Sequence, residues 1–256
     1  MRTTPVGIIC MNHQSDEEIF QTAIRIGAVT HADPRCALAV AIVSALIRGL
    51  CRGDITTNAD VEAVCERAWV HVTASLPNPN HLERHEYERY VHAGTLDALV
   101  LCDQEMGYVY KCLGSALWCL RETLSGRETF KSAIVKLVMC GGDADTNAAV
   151  AGALMGAHCG YDALPPEWRD GLRHKEWFLQ KITALCVVAG LMEGSYDAPS
   201  DRDTEFDGGR GFLTEDEMKR REMAIMERIL LADQRRRALS QTGGKVKKSW
   251  EFWRRD

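Results

Sequence analysis

The sequence predicts an all-α protein. Apolar residues recur three and four apart in one segment after another, and no segment shows the two-residue alternation of a half-buried strand. The composition, 46% hydrophobic and 26% charged over 256 residues, is that of an ordinary globular chain and excludes a disordered or collagen-like one.

The first element is signalled at Ser15-Asp16-Glu17-Glu18, a capping box in which a hydroxyl accepts from an early helix N–H and a glutamate three residues on reaches back. Ile19, Phe20, Ala23 and Ile24 follow at helical spacing, and Gly27 is the end signal. In Thr30-His31-Ala32-Asp33-Pro34-Arg35 the proline disfavours a helical Asp33 but suits the first turn of a new helix. That helix, from about Arg35 to Leu50, is apolar on nearly every face, which predicts a place in the middle of a multi-helix core. Asn58 is a candidate cap for a helix carrying Val61, Val64 and Ala68, and Leu76-Pro-Asn-Pro-Asn-His81 reads as a loop. Val109, Cys112, Leu113, Ala116, Leu117 and Leu120 form one helical stripe; Phe130, Ala133, Ile134, Leu137 and Val138 form another, with a turn at Ser125-Gly126 between them.

Beyond Gly194 the chain turns polar and rich in Asp and Gly, so residues 195–213 read as a linker between a helical domain, 1–194, and a distinct segment, 214–256. Residues 214–240 predict one charged helix with Met218, Ile225, Ile229 and Leu230 as its apolar residues, followed by Gly243-Gly244 and a basic, aromatic KVKKSWEFWRR stretch. This segment could bind a membrane surface or an acidic partner; the favoured reading is a helix folded back on the core with Trp250 and Trp253 as anchors. The net charge of −5 conceals an asymmetry: residues 214–256 carry +4 and residues 1–213 carry −9. An acidic main body argues against a nucleic-acid backbone as the principal ligand.

The longest nearly uninterrupted apolar stretch, Cys36–Ile47, is about 12 residues, against roughly 20 for a membrane span. The opening MRTTPVGIICMN lacks the charged start and apolar core of a secretory signal. No membrane span is expected, and an intracellular, cytoplasmic location is. The ten cysteines show no C-x-x-C pair and no zinc-type spacing, which predicts reduced packing residues, with Cys112 and Cys119 on one helix face.

The stretch that carries chemistry is Gly141-Gly142-Asp143-Ala144-Asp145-Thr146. Two glycines allow a tight backbone path, two carboxylates two apart can aim at one point, and Thr146 adds a hydroxyl at the first helical turn. Clustered hard oxygen donors suit Mg²⁺, Mn²⁺ or Ca²⁺ rather than zinc. An EF-hand does not fit, because Ala148 and Leu154 stand where that loop needs glycine and glutamate. Asp145 could act only as a helix cap, but capping explains neither Asp143 nor the Gly-Gly. Gly152, Gly156 and Gly160, four apart, are expected to let this helix pack closely against a neighbour.

GGDADTNAAVAGALMGAHCGYDALPPEW resembles the C-terminal signature of the ADP-ribosylglycohydrolases, and MRTTPVGI, THADPR and GYVYKCLGSALWCL resemble further blocks of that family in the same order, over roughly residues 1–194. The resemblance implies an all-α fold holding two Mg²⁺ ions, with Mn²⁺ as an alternative, in a cleft where ADP-ribose is cleaved from arginine, serine, another acceptor or another ADP-ribose. It implies that Asp143, Asp145 and Thr146 are the second set of metal ligands. It also places His31 near bound ADP-ribose, although a single histidine beside a helix start, taken alone, is more often a capping or packing residue. Arg2 and Pro5 match positions that shape the substrate wall. The family also carries an upstream Gly-Asp-rich motif and a Thr-Asp-Asp triplet that supplies the first ligand set; these 256 residues contain no Thr-Asp-Asp, and Asp54 and Asp97 have the wrong neighbours to replace it. The expectation is therefore a Mg²⁺-dependent hydrolase acting on ADP-ribosylated protein, with no general acid or base assigned, or else a degenerate module that binds ADP-ribose or a partner without cleavage. A domain short of its opening helices would expose apolar faces, so a homodimer or a complementing chain is expected.

Overall fold

In the computed structural model the core is organised around one helix. Residues 1–75, 82–196 and 213–241 are described, and among them are eleven α-helices and no strand, the architecture the apolar periodicity predicts. The chain divides into two compact units, Met1–Tyr196 and Asp197–Asp256.

A four-residue helix, α1 (Val6–Ile9), opens the first unit; it is too short to leave a periodic signal, and the sequence reading passes over it. Helix α2 (Asp16–Ala28) starts at the expected cap, with Ser15 Oγ accepting from Glu18 N at 3.4 Å. The glutamate does reach back, but to the N–H of Gln14 at 3.1 Å, one residue earlier than a standard box. Helix α3 (Pro34–Arg52) begins with Asp33 Oδ1 accepting from Arg35 N at 2.8 Å, Pro34 filling the first helical position, and ends at Gly53 in the left-handed conformation with φ 76°. Every residue of α3 from Leu38 to Leu50 except the half-buried Val40 is buried.

Helix α4 (Asn58–Ser75) corrects one expectation. The cap is Thr57, not Asn58: Thr57 Oγ1 accepts from Asp60 N, and Asp60 Oδ2 accepts from Thr57 N at 2.8 Å and Thr56 N at 3.0 Å. Val61, Val64 and Ala68 are buried as expected, whereas the proposed loop at 76–81 lies outside the described residues. Helices α5 (Arg84–Val91), α6 (Val109–Leu124), α7 (Phe130–Met139) and α8 (Ala144–Cys159) complete the packed body. Leu113, Ala116, Leu117 and Leu120 of α6 are buried, but Val138 at the end of the α7 stripe is 42% exposed.

Helix α3 packs against α1, α2, α4, α6 and α8, which is why it carries apolar residues all round. It is the one described helix long and apolar enough to cross a membrane, and its surroundings of other helices account for that character. The close backbone approaches are not where the glycine series predicts. A Cβ on Gly156 would meet nothing within 4 Å, one on Gly152 would make only ordinary contacts, and Gly160 closes α8 at φ 79°. Tight helix-to-helix approaches lie instead at Gly7, where a Cβ would stand 2.6 Å from the Ser44 carbonyl of α3, and at Gly114, where it would stand 2.5 Å from the Tyr90 carbonyl and prise α6 from α5.

Two further helices, α9 (Pro166–Asp170) and α10 (Lys175–Val188), follow α8 without a buried residue. All ten cysteines are free, and burial pushes Cys65 and Cys119 up to about 12 and Cys112 up to about 11, the behaviour of inert packing thiols. In the second unit, α11 (Glu215–Gln241) starts with a reciprocal box between Thr214 and Glu217, and Met218, Ile225, Ile229 and Leu230 are exposed on it. The basic aromatic stretch with Trp250 and Trp253 lies outside the described residues, as does most of the expected linker.

Several surface carboxylates sit below their ordinary range. Backbone N–H groups at Thr56 and Thr57 lower Asp60, Arg127 lowers Glu122, and Arg169 with Lys175 brings Asp170 from 3.8 to about 2. A carboxylate lowered by folding binds protons less readily in the folded than in the unfolded state, so its contribution is complete at neutral pH and is lost as pH falls from its ordinary value toward the folded one. The urea midpoint should therefore drop between pH 6 and pH 3 at constant ionic strength; an unchanged midpoint would show that these contacts add nothing.

Candidate functional site

Three distant stretches of chain meet at one cleft of about 560 Å³, lined among others by Arg2, Thr30, His31, Asp33, Arg35, Tyr108, Cys112, Asp143 and Thr146. The α2–α3 junction supplies the first wall. Asp33, besides capping α3, grips the side chain of Arg35: Oδ1 accepts from Nε at 2.9 Å and Oδ2 from Nη2 at 2.6 Å. This fork holds the guanidinium fixed and fully charged at the cleft. Arg2 donates to the Ile26 carbonyl at 2.9 Å and to Thr30 Oγ1 at 2.8 Å, tying the N-terminal residues to the same junction.

Thr30 Oγ1 lies 2.8 Å from His31 Nδ1 and 3.5 Å from the Gly27 carbonyl. With Arg2 donating to it, the Thr30 hydroxyl keeps one lone pair and its proton for His31 Nδ1 and the Gly27 carbonyl. The contact with Nδ1 fixes the orientation of the His31 ring at the cleft.

The second wall is the start of α6. Tyr108 precedes the helix, its hydroxyl donates to Glu86 Oε1 at 2.8 Å, and Arg35 lies 5.5 Å from its ring centroid. Behind it Tyr90 and Tyr110 stand at 5.5 Å each, and Tyr87 and Trp69 carry the ring contacts on into the core. Burial and the Glu86 carboxylate both raise the Tyr108 phenol well above its ordinary range, so it stays a neutral donor.

The third wall is the Gly-Gly-Asp loop. Gly141 and Gly142 adopt φ 74° and 70°, and a Cβ on Gly142 would stand 2.1 Å from the Leu101 carbonyl oxygen, so only glycine fits there. Asp143 occupies the N-cap position of α8 but makes no side-chain cap bond, and Asp145 and Thr146 follow in the first turn. Asp145 is held below the ordinary carboxylate range first by the Asp143 carboxyl beside it, then by the Thr146 backbone N–H and its own. Capping therefore accounts for part of Asp145 and for nothing of Asp143.

The cleft brings together His31, Asp143 and Thr146; Asp145 adjoins Asp143 but is not among the residues lining the cleft. Sequence reasoning passed over Arg35 and Tyr108, although each lies inside a block singled out for other reasons. It also passed over Asn147, which is 1% exposed one turn below Asp143 with neither amide atom partnered. A buried amide without partners calls for a water or a hydrated ion nearby. Two adjacent carboxylates and a hydroxyl fit a hard cation that keeps several of its waters, the usual state of bound Mg²⁺. Among the described residues no three of His, Cys, Asp and Glu gather as a metal-holding group.

Comparison with known proteins bears on this arrangement. A family profile described as ADP-ribosylglycohydrolase matches residues 1–201. The chain is 42% identical over 66 residues to an ADP-ribosyl-(dinitrogen reductase) glycohydrolase of Rhodospirillum rubrum, a match covering 25% of this chain and 22% of that protein. It is 32% identical over 92 residues to an uncharacterized protein of Archaeoglobus fulgidus, covering 33% of this chain and 29% of that one. The matched region thus spans less than a third of the length of either relative. No solved structure matches the chain.

Proposed function

Because the chain belongs to the ADP-ribosylglycohydrolase family, we propose that its cleft binds ADP-ribose and that the protein hydrolyses the glycosidic bond joining ADP-ribose to a modified protein or to a further acceptor. The observation that carries this reading is the convergence of Arg35, His31 and the Asp143–Thr146 turn on one cleft from segments more than 70 residues apart.

Asp143, Asp145 and Thr146 would hold the divalent cation, Mg²⁺ or Mn²⁺, which when bound supplies a positive charge that orients ribose hydroxyls and stabilises charge developing on oxygen. Neither aspartate is the general base, since a carboxylate engaged by a cation is a poor proton acceptor. Arg35, pre-set by Asp33 and resting on Tyr108, offers fixed positive charge to a diphosphate. His31, oriented through Nδ1 by Thr30, which Arg2 holds in turn, lines the same space and hydrogen-bonds the ligand. Tyr108 places an aromatic surface and a neutral phenol beside the same space.

A second reading, binding of ADP-ribose without cleavage, is favoured by one observation: no third acidic or histidine side chain gathers with Asp143 and Asp145 among the described residues. One experiment separates the two. Release of free ADP-ribose is measured from arginine-, serine- and chain-linked substrates with Mg²⁺ and with chelator, alongside calorimetry of ADP-ribose binding. Metal-dependent release supports the hydrolase; binding without release selects the second reading; a folded protein that does neither overturns both.

A further inference from the structure

The least expected side chain near the site is Lys111. It sits in the first turn of α6, 2% exposed, on a helix face otherwise given to packing. A buried ammonium needs partners, and Lys111 has two. Nζ donates to the Val100 carbonyl at 2.9 Å and to Asp103 Oδ2 at 2.5 Å. Asp103 is fixed in turn by Glu105 N, which donates to its other oxygen at 2.7 Å, and Lys111 lowers its carboxyl below the ordinary range.

The segment gripped in this way is under strain. Val100 is β-branched yet has φ 47°, a left-handed conformation that such a residue avoids unless its surroundings impose it. The next residue, Leu101, is buried, and its carbonyl is the group pressed against Gly142, while the Cys102 side chain lies against Gly141. The order of contacts is therefore Lys111, then the 100–103 turn, then Gly141-Gly142, then Asp143. The following residue on α6, Cys112, meets the first turn of α8, with Sγ 3.8 Å from the Thr146 carbonyl.

Stability alone does not call for a lysine here. A buried ion pair whose two members are both replaced by apolar side chains of similar volume is often neutral for folding. What an apolar side chain cannot do is hold the Val100 carbonyl and Asp103 together. Resting on the reading that Asp143 and Asp145 bind a divalent cation, we infer that Lys111 is a positioning residue for that pair: by holding the 100–103 turn it fixes the surface on which Gly141 and Gly142 lie, and with it the direction in which the two aspartates leave the chain.

The test uses the full chain with Lys111→Met, and Asp103→Asn as a second variant that releases the turn from its exposed end should the first not fold. Mn²⁺ alone is the probe, its binding followed by electron paramagnetic resonance, while amide NMR of the metal-free protein follows residues 141–146. Supporting residues behind metal ligands typically change affinity by 10–100-fold, so Mn²⁺ binding should weaken by at least about tenfold in a variant that still unfolds cooperatively. The Gly142 and Asp143 resonances should shift before any metal is added. Unchanged affinity together with unmoved resonances overturns the inference. If the parent protein binds no Mn²⁺ while those resonances still shift, the cation reading fails and the mechanical link from Lys111 to the loop stands.

Discussion

On the proposed cation site, replacing both Asp143 and Asp145 by alanine is expected to abolish stabilisation by Mg²⁺ at only a small cost to the metal-free protein. The two carboxylates lie side by side at the start of α8, and Asp143 makes no cap bond whose loss would be felt. Without a cation Asp145 keeps the hydrogen bonds from Asp143 and the Thr146 N–H that hold its carboxyl below the ordinary range, so the double variant starts slightly less stable and each protein is compared with itself, with and without metal. With a cation the native state gains free energy by mass action, about 2.7 kcal/mol when the metal stands at 100 times its Kd. For a domain of this size that corresponds to a rise in Tm of roughly 5–10 °C. Thermal unfolding with Mg²⁺ and with chelator should show that rise in the parent protein and none in the double variant. An equal rise in both would place the cation elsewhere.

Replacing Gly142 by alanine should act on the fold as well as on the site. The new Cβ would have to occupy space 2.1 Å from the Leu101 oxygen and 2.8 Å from its carbon, both rigid backbone atoms, at a φ of 70° that alanine disfavours. Left-handed strain of about 1–2 kcal/mol and the displacement of a packed turn at a similar cost bring the loss to about 2–4 kcal/mol. Gly156→Ala in α8 is the internal comparison: nothing lies within 4 Å of its Cβ, and alanine favours the helix interior by up to about 1 kcal/mol. Urea unfolding in chelator should therefore move the two midpoints in opposite directions. A Gly142→Ala midpoint at or above that of the parent would show that the loop yields easily.

The contrast between those glycines marks where the sequence was readable. Ser15 and Asp33 declare their helices through local chemistry, because a cap and the turn it closes lie within four residues of each other. The Asp143-x-Asp145-Thr146 cluster is legible for the same reason. Asn58 misled because Thr57 and Asn58 are both capping residue types, and the choice between them fell to Asp60, three residues past the threonine. Gly152, Gly156 and Gly160 suggested close packing by their spacing, but whether a glycine meets a neighbour depends on which distant helix arrives there. The same limit hid Arg35, Tyr108 and Lys111, whose roles come from contacts with residues supplied by other turns of the chain.

The all-round apolar character of α3 also bears on how the protein is made. A ribosome adds about 5–20 residues per second, and α8, one of the helices that covers α3, begins roughly 90 residues after α3 ends. For several seconds or more the newly made α3 therefore faces water, chaperones and the membrane-insertion machinery with part of its surface uncovered, and it is long and apolar enough to be mistaken for a membrane span. Helices α1 and α2, made just before it, and α4, which follows directly, are the cover available before α6 and α8 arrive.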